Sequence, residues 1–172
     1  MPRIEKDRFL PLTLSAGVVL LDQLTKLVVI LTIPLNTGKW VIRDFFRLVH
    51  VRNPAIAFSI GRNLPAGTQR TLFSLLPLLV VLVLLAYYLF TKDPLTKFQK
   101  WCFGALVGGG LGNYVDRIFR PDGVVDFLDF KFYGIFGLER WPVFNVADMS
   151  VVITGILLFV SFLIPSRTGD KK

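Results

Sequence analysis

Long apolar runs dominate the pattern of hydrophobic and polar positions along the chain. Four of them approach or exceed the roughly 20 residues that a helix needs to cross about 30 Å of hydrocarbon. They cover about residues 11–32, 68–90, 101–119 and 146–164. The second has an uncharged interior and one helix-kinking residue, Pro77, and the third is short and rich in glycine. The pattern predicts an all-α integral membrane protein, with four transmembrane helices in a single membrane domain over residues 1–172.

The first apolar run could instead be a signal peptide. It is too long for an ordinary signal-peptide core, contains Asp22 and Lys26, and is not followed by an A-x-A cleavage site. We therefore expect it to stay in the protein as a membrane helix.

The composition agrees with a membrane protein. Of the 172 residues, 53% are apolar, and the mean hydropathy is +0.58; a soluble domain of this size needs more polar surface. The net charge of +8 lies largely in short segments beside the apolar runs, where it is a topology signal and not a nucleic-acid surface. Single Cys102 and single His50 exclude an internal disulfide and an ordinary structural zinc site. We therefore expect no nucleic-acid partner, no metal and no cofactor.

Clusters of lysine and arginine predict the orientation, because these residues are enriched in cytoplasmic connections. They are dense in the first ten residues, in the connection 91–100 and in the tail: Arg3, Lys6, Arg8, Lys92, Lys97, Lys100, Arg167, Lys171 and Lys172. Both termini are therefore predicted to be cytoplasmic. The two longer loops, about 33–67 and 120–145, are predicted to face outward.

The two outward loops have structure-forming compositions. Residues 40–60 are rich in β-branched and aromatic types with partial alternation, which predicts short strands. Residues 124–144 carry an aromatic side chain at about every second or third position, which suits the membrane interface.

Polar residues within the apolar runs converge at one depth. A charge in the bilayer core costs at least about 2.5–3.5 kcal/mol, so each needs a partner or a function. With a rise of about 1.5 Å per residue, Asp22 lies roughly 16 Å along the first helix and Asn113 roughly 18 Å along the third. The fourth helix begins on the outer side. Three helices therefore bring polar side chains to the outer third of the membrane: Asp22, Lys26, Asn113, Asp116, Arg117, Asn145 and Asp148.

Glycines should turn these polar groups towards the bundle, because they let a neighbouring helix approach closely. The third run has two adjacent ridges at four-residue spacing, one of Gly104, Gly108, Gly112 and Asp116, the other of Gly109, Asn113 and Arg117.

Most of the polar residues also have a purely structural interpretation. Asp22 and Lys26, four residues apart, can form an ion pair on one helix face. Arg117 can extend to the interface or anchor a carboxylate. Asn145 and Asp148 can cap a helix and favour its dipole.

Asp126 is harder to explain structurally. It lies in the apolar run 124–128, where an unpaired carboxylate is costly. Asn53, in contrast, precedes Pro54 and has a local interpretation as an extended or turn residue.

The chain resembles the lipoprotein signal peptidases, also called signal peptidase II, along nearly its whole length. The resemblance rests on five motifs in the right order relative to the four apolar runs. They are Asp22-Gln23-Leu24-Thr25-Lys26, Asn53-Pro54-Ala55-Ile56-Ala57-Phe58, residues 109–117 (GGLGNYVDR), Val125-Asp126-Phe127 and Phe144-Asn145-Val146-Ala147-Asp148. One departure is Ala55, where the family usually has a glycine that could adopt positive φ.

The resemblance implies a membrane aspartic endopeptidase that cleaves diacylglyceryl-modified prolipoproteins on the amino side of the lipidated cysteine. Its partners would be these substrates and membrane lipid, and its location the bacterial cytoplasmic (inner) membrane, with the site facing outward. By motif, the catalytic pair would be Asp126 and Asp148. The family fold implies a small β-sheet cradle from the first outward loop and a short interfacial helix in the second. The supporting residues would be Asp22, Lys26, Asn53, Asn113, Asp116, Arg117 and Asn145.

Paired aspartates suit peptide hydrolysis, because two close carboxyl groups share a proton and supply a base and an acid. Two alternatives remain open at this point. One is a Ser–Lys membrane peptidase that uses Lys26 and a serine such as Ser59. The other is a small ion or solute transporter, in which Asp22 and Lys26 would mark an ion path.

Overall fold

The computed structural model of the chain describes residues 6–54 and 65–164. Ala55 and Ser59 lie outside these residues. The described part contains four long helices, three strands and two single turns of 3-10 helix at Lys6–Arg8 and Ile135–Gly137. The helices are α1 (Leu12–Thr32), α2 (Ala66–Phe90), α3 (Lys97–Phe119) and α4 (Val146–Leu163), and the strands are β1 (Gly38–Ile42), β2 (Phe46–Asn53) and β3 (Val124–Phe130).

All four helices lie where the apolar runs predict them. Within the described residues, α1 and α4 are long and apolar enough to cross a membrane by length and composition, and α2 has an apolar stretch over Leu75–Phe90. Helix α3 begins earlier than predicted, because the Thr96 side chain accepts a hydrogen bond from the Gln99 backbone (3.2 Å) and the Gln99 side chain accepts one from Thr96 N (2.9 Å). This capping box adds a polar first turn that hydropathy alone misses.

Helix α3 lies in the middle of the bundle and packs against each of the other three helices. The predicted glycine ridges make this possible. A Cβ atom on Gly108 would lie 2.8 Å from Ser15 Cα on α1, and one on Gly109 would lie 2.6 Å from Ala147 O on α4. Backbones in such close contact exclude any larger side chain, so one ridge faces α1 and the other faces α4.

The strands form one antiparallel sheet in the order β1-β2-β3. β1 and β2 fall within the predicted strand region 40–60 or border it. The family resemblance implied a cradle from the first outward loop, and the structure adds β3 from the second. The aromatic side chains of this loop predict an interfacial segment, because they obscure the burial of both faces of β3. In the described part of that loop, the helical structure is limited to the turn Ile135–Gly137.

The sheet sits on one end of the helix bundle. Val125 and Phe127 of β3 form a buried apolar cluster with Val29 and Ile33 at the end of α1. This packing fixes β3, which carries Asp126, beside the first turn of α4, which carries Asp148.

Candidate active site

Asp126 is a buried carboxyl group held by two asparagines. Little of the residue is accessible to solvent, with 3% of its surface exposed. Oδ1 accepts a hydrogen bond from Asn145 Nδ2 at 2.7 Å, and Oδ2 accepts one from Asn53 Nδ2 at 3.0 Å. Burial, reinforced by the charge of Asp148, raises the pKa of Asp126 to about 7, although the two asparagine donors and Lys26 oppose the rise.

Asp148 is the third residue of α4 and is partly exposed. Its Oδ2 accepts a hydrogen bond from the Asn145 backbone N (3.1 Å), and Asn145 Oδ1 accepts one from Asp148 N (2.9 Å). This is a capping box, so the predicted capping role of this pair is confirmed. Asp148 Oδ1 also accepts a hydrogen bond from Asn113 Nδ2 at 2.7 Å, which a simple cap does not need.

Asn145 connects the two carboxyl groups. It is fully buried, and its side chain donates to Asp126 while its backbone N donates to Asp148. Since a single residue reaches both, the two aspartates lie close together although they come from β3 and α4. The same Nδ2 atom lies 3.0 Å from Asn113 Oδ1.

Lys26 is the buried cation beneath this pair. Its Nζ lies 2.8 Å from Asp22 Oδ2, 3.1 Å from Asp116 Oδ2 and 3.0 Å from Asn113 Oδ1. The Asp22–Lys26 ion pair is thus confirmed, and Asp116 extends it. The lysine also orients Asn113, because an amide whose oxygen faces Lys26 and Asn145 must turn its nitrogen elsewhere. That nitrogen faces Asp148.

Asp22 and Asp116 anchor the two elements that carry the aspartate pair. Asp22 Oδ1 accepts a hydrogen bond from Ala147 N at the start of α4 (3.0 Å), and Asp116 Oδ2 accepts one from Val125 N in β3 (2.9 Å). Both carboxylates are fully buried and share Lys26. Asp22, Asp116 and Lys26 therefore connect α1, α3, α4 and the sheet at one buried point.

Arg117 was expected to extend to the interface or to anchor a carboxylate, and its one side-chain hydrogen bond among the described residues is within helix α3. Arg117 donates to Asn113 O within its own helix (3.3 Å), and its charge also acts on Asp126 and Asp148. The arginine that pairs with Asp116 is Arg120, a residue outside the predicted site. The four-residue spacing from Asp116 was the signal that could have found it.

Two further residues of the polar network were missed. Gln23 donates to Asp116 Oδ1 (2.9 Å) and Gly112 O (3.0 Å) while its oxygen accepts from Arg120 (2.8 Å), so it joins α1 to α3. Asp129 is almost fully buried in β3. Like Asp126, Asp129 is a carboxylate among apolar residues, and this was the signal that could have found it.

Comparisons with known proteins agree with this architecture. A family profile described as Signal peptidase (SPase) II matches residues 14–164. The lipoprotein signal peptidase of Treponema pallidum is 43% identical over 95% of this chain and 88% of its own length. That of Treponema denticola is 42% identical over 97% of this chain and 96% of its own.

Solved structures show the same fold. Two bacterial membrane enzymes superpose with TM-scores of 0.79 and 0.75 at 26% and 27% identity, covering 100% and 96% of this chain and 98% and 99% of theirs. The fold thus defines the class as a bacterial membrane enzyme. Within that class, the chain belongs to the signal peptidase II family of aspartic peptidases, the lipoprotein signal peptidases that cleave signal peptides of prolipoproteins. The family and the enzyme class predicted from the sequence are confirmed.

Proposed function

We propose that Asp126 and Asp148 are the catalytic pair, and that they cleave diacylglyceryl-modified prolipoproteins on the amino side of the lipidated cysteine. The observation that carries this proposal is the contact of Asn145 with both carboxyl groups. Hydrogen bonds from three asparagines hold two acids from different elements together, which is an arrangement that general acid–base hydrolysis uses.

The environments of the two aspartates favour different roles. Asp148 is more exposed than Asp126, and the α4 dipole and a backbone N–H both stabilise a carboxylate at its position. Asp126 is buried with a pKa of about 7, so it holds a proton below neutral pH. Asp148 is therefore the base and Asp126 the acid.

In the reaction, Asp148 removes a proton from a water molecule as the water oxygen attacks the scissile carbonyl carbon. The protonated Asp126 hydrogen-bonds the carbonyl oxygen and stabilises the negative charge that develops there. The tetrahedral intermediate then collapses, the C–N bond breaks, and the proton held by the pair passes to the leaving amine of the cysteine.

The supporting residues hold the two catalytic carboxyl groups in place. Asn53, Asn113 and Asn145 orient the carboxyl groups directly. Asp22, Lys26 and Asp116 hold the elements that carry them, and Arg117 adds positive charge nearby.

The same proposal includes the membrane placement. The chain forms one domain in the cytoplasmic (inner) membrane with four spans and both termini inside. The sheet and the aspartate pair lie on the extracytoplasmic side, with the turn Ile135–Gly137 at the interface. Water then reaches the pair while the acyl chains of the substrate stay in lipid.

A cleavage assay tests the catalytic assignment. Purified enzyme in detergent is incubated with a diacylglyceryl-modified prolipoprotein, and Asp126→Asn and Asp148→Asn are expected to lose at least about 10²–10⁴-fold in rate, because each removes an acid–base group. Asp122→Asn, which changes an exposed carboxyl group, is the matched control and should retain activity. Substantial cleavage by a folded Asp126→Asn or Asp148→Asn enzyme would contradict the assignment. A liposome flux assay with the same protein separates this proposal from the transporter alternative.

A further inference from the structure

The sheet carries an exposed apolar surface that the catalytic proposal does not use. The β1–β2 hairpin and the segment after β3 present large apolar side chains to the outside, and Phe136 is 84% exposed. We call this surface the sheet tip and define it by Trp40, Val41, Ile42, Phe45, Tyr133 and Phe136.

The two parts of the sheet tip form one continuous surface. Tyr133 Oη donates a hydrogen bond to Asp44 O in the β1–β2 turn (3.0 Å), and Lys131 N donates one to Phe45 O (2.8 Å). Segments far apart in sequence are thus joined at the point where both expose apolar groups.

The sheet tip adjoins the end of helix α1. Lys39 in β1 donates a hydrogen bond to Thr32 O, the last residue of α1, at 3.2 Å. An exposed apolar path continues from α1 through Leu31 and Leu35 to Trp40. The exposed apolar side chains of α1 are therefore followed along the chain by those of the sheet tip.

Cations flank the aromatic rings of this surface. The guanidinium groups of Arg47 and Arg140 each lie 5.6 Å from the centre of the Trp40 ring, and Lys131 Nζ lies 5.0 Å from that of Tyr133. Arg47 and Arg140 share one buried carboxylate, Asp129. Arg47, Arg140 and Asp129 together therefore carry one net positive charge. The exposed ring of Trp40 lies close to both guanidinium groups.

We propose that the sheet tip rests in the headgroup layer of the bilayer that holds the chain, and that Arg47 and Arg140 bind phosphates of anionic phospholipids there. Aromatic rings accompanied by cations are typical of residues at the headgroup level. Basic residues near such a surface attract anionic lipids. This proposal depends on the membrane location and not on which residues are catalytic.

Tryptophan quenching tests the location of the sheet tip. The chain has three tryptophans, so the full chain with Trp101→Phe and Trp141→Phe reports Trp40 alone. It is placed in nanodiscs of equal phosphatidylcholine and phosphatidylglycerol, brominated near the glycerol end of the acyl chains. A variant that keeps only Trp101, an exposed residue of helix α3, is the lipid-contacting control. We expect the brominated lipids to quench Trp40 at least about half as strongly as Trp101.

Weaker lipid quenching of Trp40 would overturn the proposal. Strong quenching by aqueous iodide in that case would mean that the surface faces water and serves a protein partner.

A second measurement tests the phosphate contact. Brominated phosphatidylglycerol in unlabelled phosphatidylcholine should quench Trp40 about two-fold or more beyond brominated phosphatidylcholine in unlabelled phosphatidylglycerol. High salt should remove the difference. The combined variant Arg47→Gln, Asp129→Asn, Arg140→Gln, which leaves no unpaired buried charge, should also remove it. Equal quenching by the two lipids in the Trp40-only chain at low salt would overturn the phosphate-binding role, and this outcome needs no charge variant.

Discussion

Replacing Asp126 with Asn should make the protein more stable at high pH, although the variant is expected to be inactive. In the folded chain burial raises the pKa of this carboxyl group from 3.8 to about 7. Well below pH 4 the group is protonated in both the folded and the unfolded chain, so its burial does not change the free energy of unfolding with pH. Above pH 7 it is ionised in both, and the folded chain must hold a buried charge.

The size of this effect follows from the two pKa values. A change of one in pKa corresponds to about 1.36 kcal/mol, so a rise from 3.8 to about 7 costs the wild type about 4 kcal/mol as the pH increases from 4 to 8. The amide side chain introduced by Asp126→Asn does not titrate. It has one oxygen for two asparagine donors, which costs about 1–3 kcal/mol at every pH. The change with pH is therefore the diagnostic quantity.

Thermal unfolding in detergent, followed by tryptophan fluorescence at pH 4 and pH 8, measures this change. For a chain of this size about 2–4 °C accompanies each kcal/mol, so the Tm of Asp126→Asn relative to wild type should rise by about 8–16 °C between the two pH values. Asp122→Asn, at an exposed carboxyl group, controls for the loss of one acid. A Tm difference between Asp126→Asn and wild type that stays constant with pH would mean that ionisation of Asp126 does not destabilise the folded chain.

Three further predictions concern the scaffold of the site. Lys26→Met leaves two buried carboxylates without their shared cation. We expect the free energy of unfolding to fall by about 3–5 kcal/mol, measured by thermal unfolding. An unchanged Tm would mean that the three charges are not coupled. Gly112→Ala places a Cβ atom 2.9 Å from Asp22 Oδ2 and should cost about 1–3 kcal/mol. Its control Gly155→Ala, with nothing within 4 Å of the new atom, should be neutral or gain up to about 1 kcal/mol, and equal Tm values for the two variants would contradict the packing argument. Gly123→Ala should slow lipopeptide cleavage, because φ is +105° and the new Cβ would collide with the carbonyl oxygen of Asn53, the residue that donates to Asp126. A cleavage rate equal to that of wild type would show that this turn does not position the site.

Much of the architecture is readable from local sequence. The apolar runs place all four helices, and the glycine spacing identifies the faces of α3 that contact α1 and α4. The depth of Asp22, Lys26 and Asn113 along their helices correctly brings them together. These properties depend on hydropathy and on the fixed rise of a helix, which a single segment determines without reference to distant ones.

The tertiary structure decides which donor meets which carboxylate. The assignment of 124–130 to a third strand depends on its pairing with β2, which brings Asp126 to Asn53. The start of α4 then brings Asn145 to the same carboxyl group. The choice of Arg120 over Arg117 as the partner of Asp116 depends on how α3 ends beside the sheet. A strand signal is weak when both faces are buried, and a hydrogen bond requires atoms to meet within about 3 Å. Periodicity along the chain cannot supply that precision, whereas the packing of α1, α3, α4 and the sheet around Lys26 does.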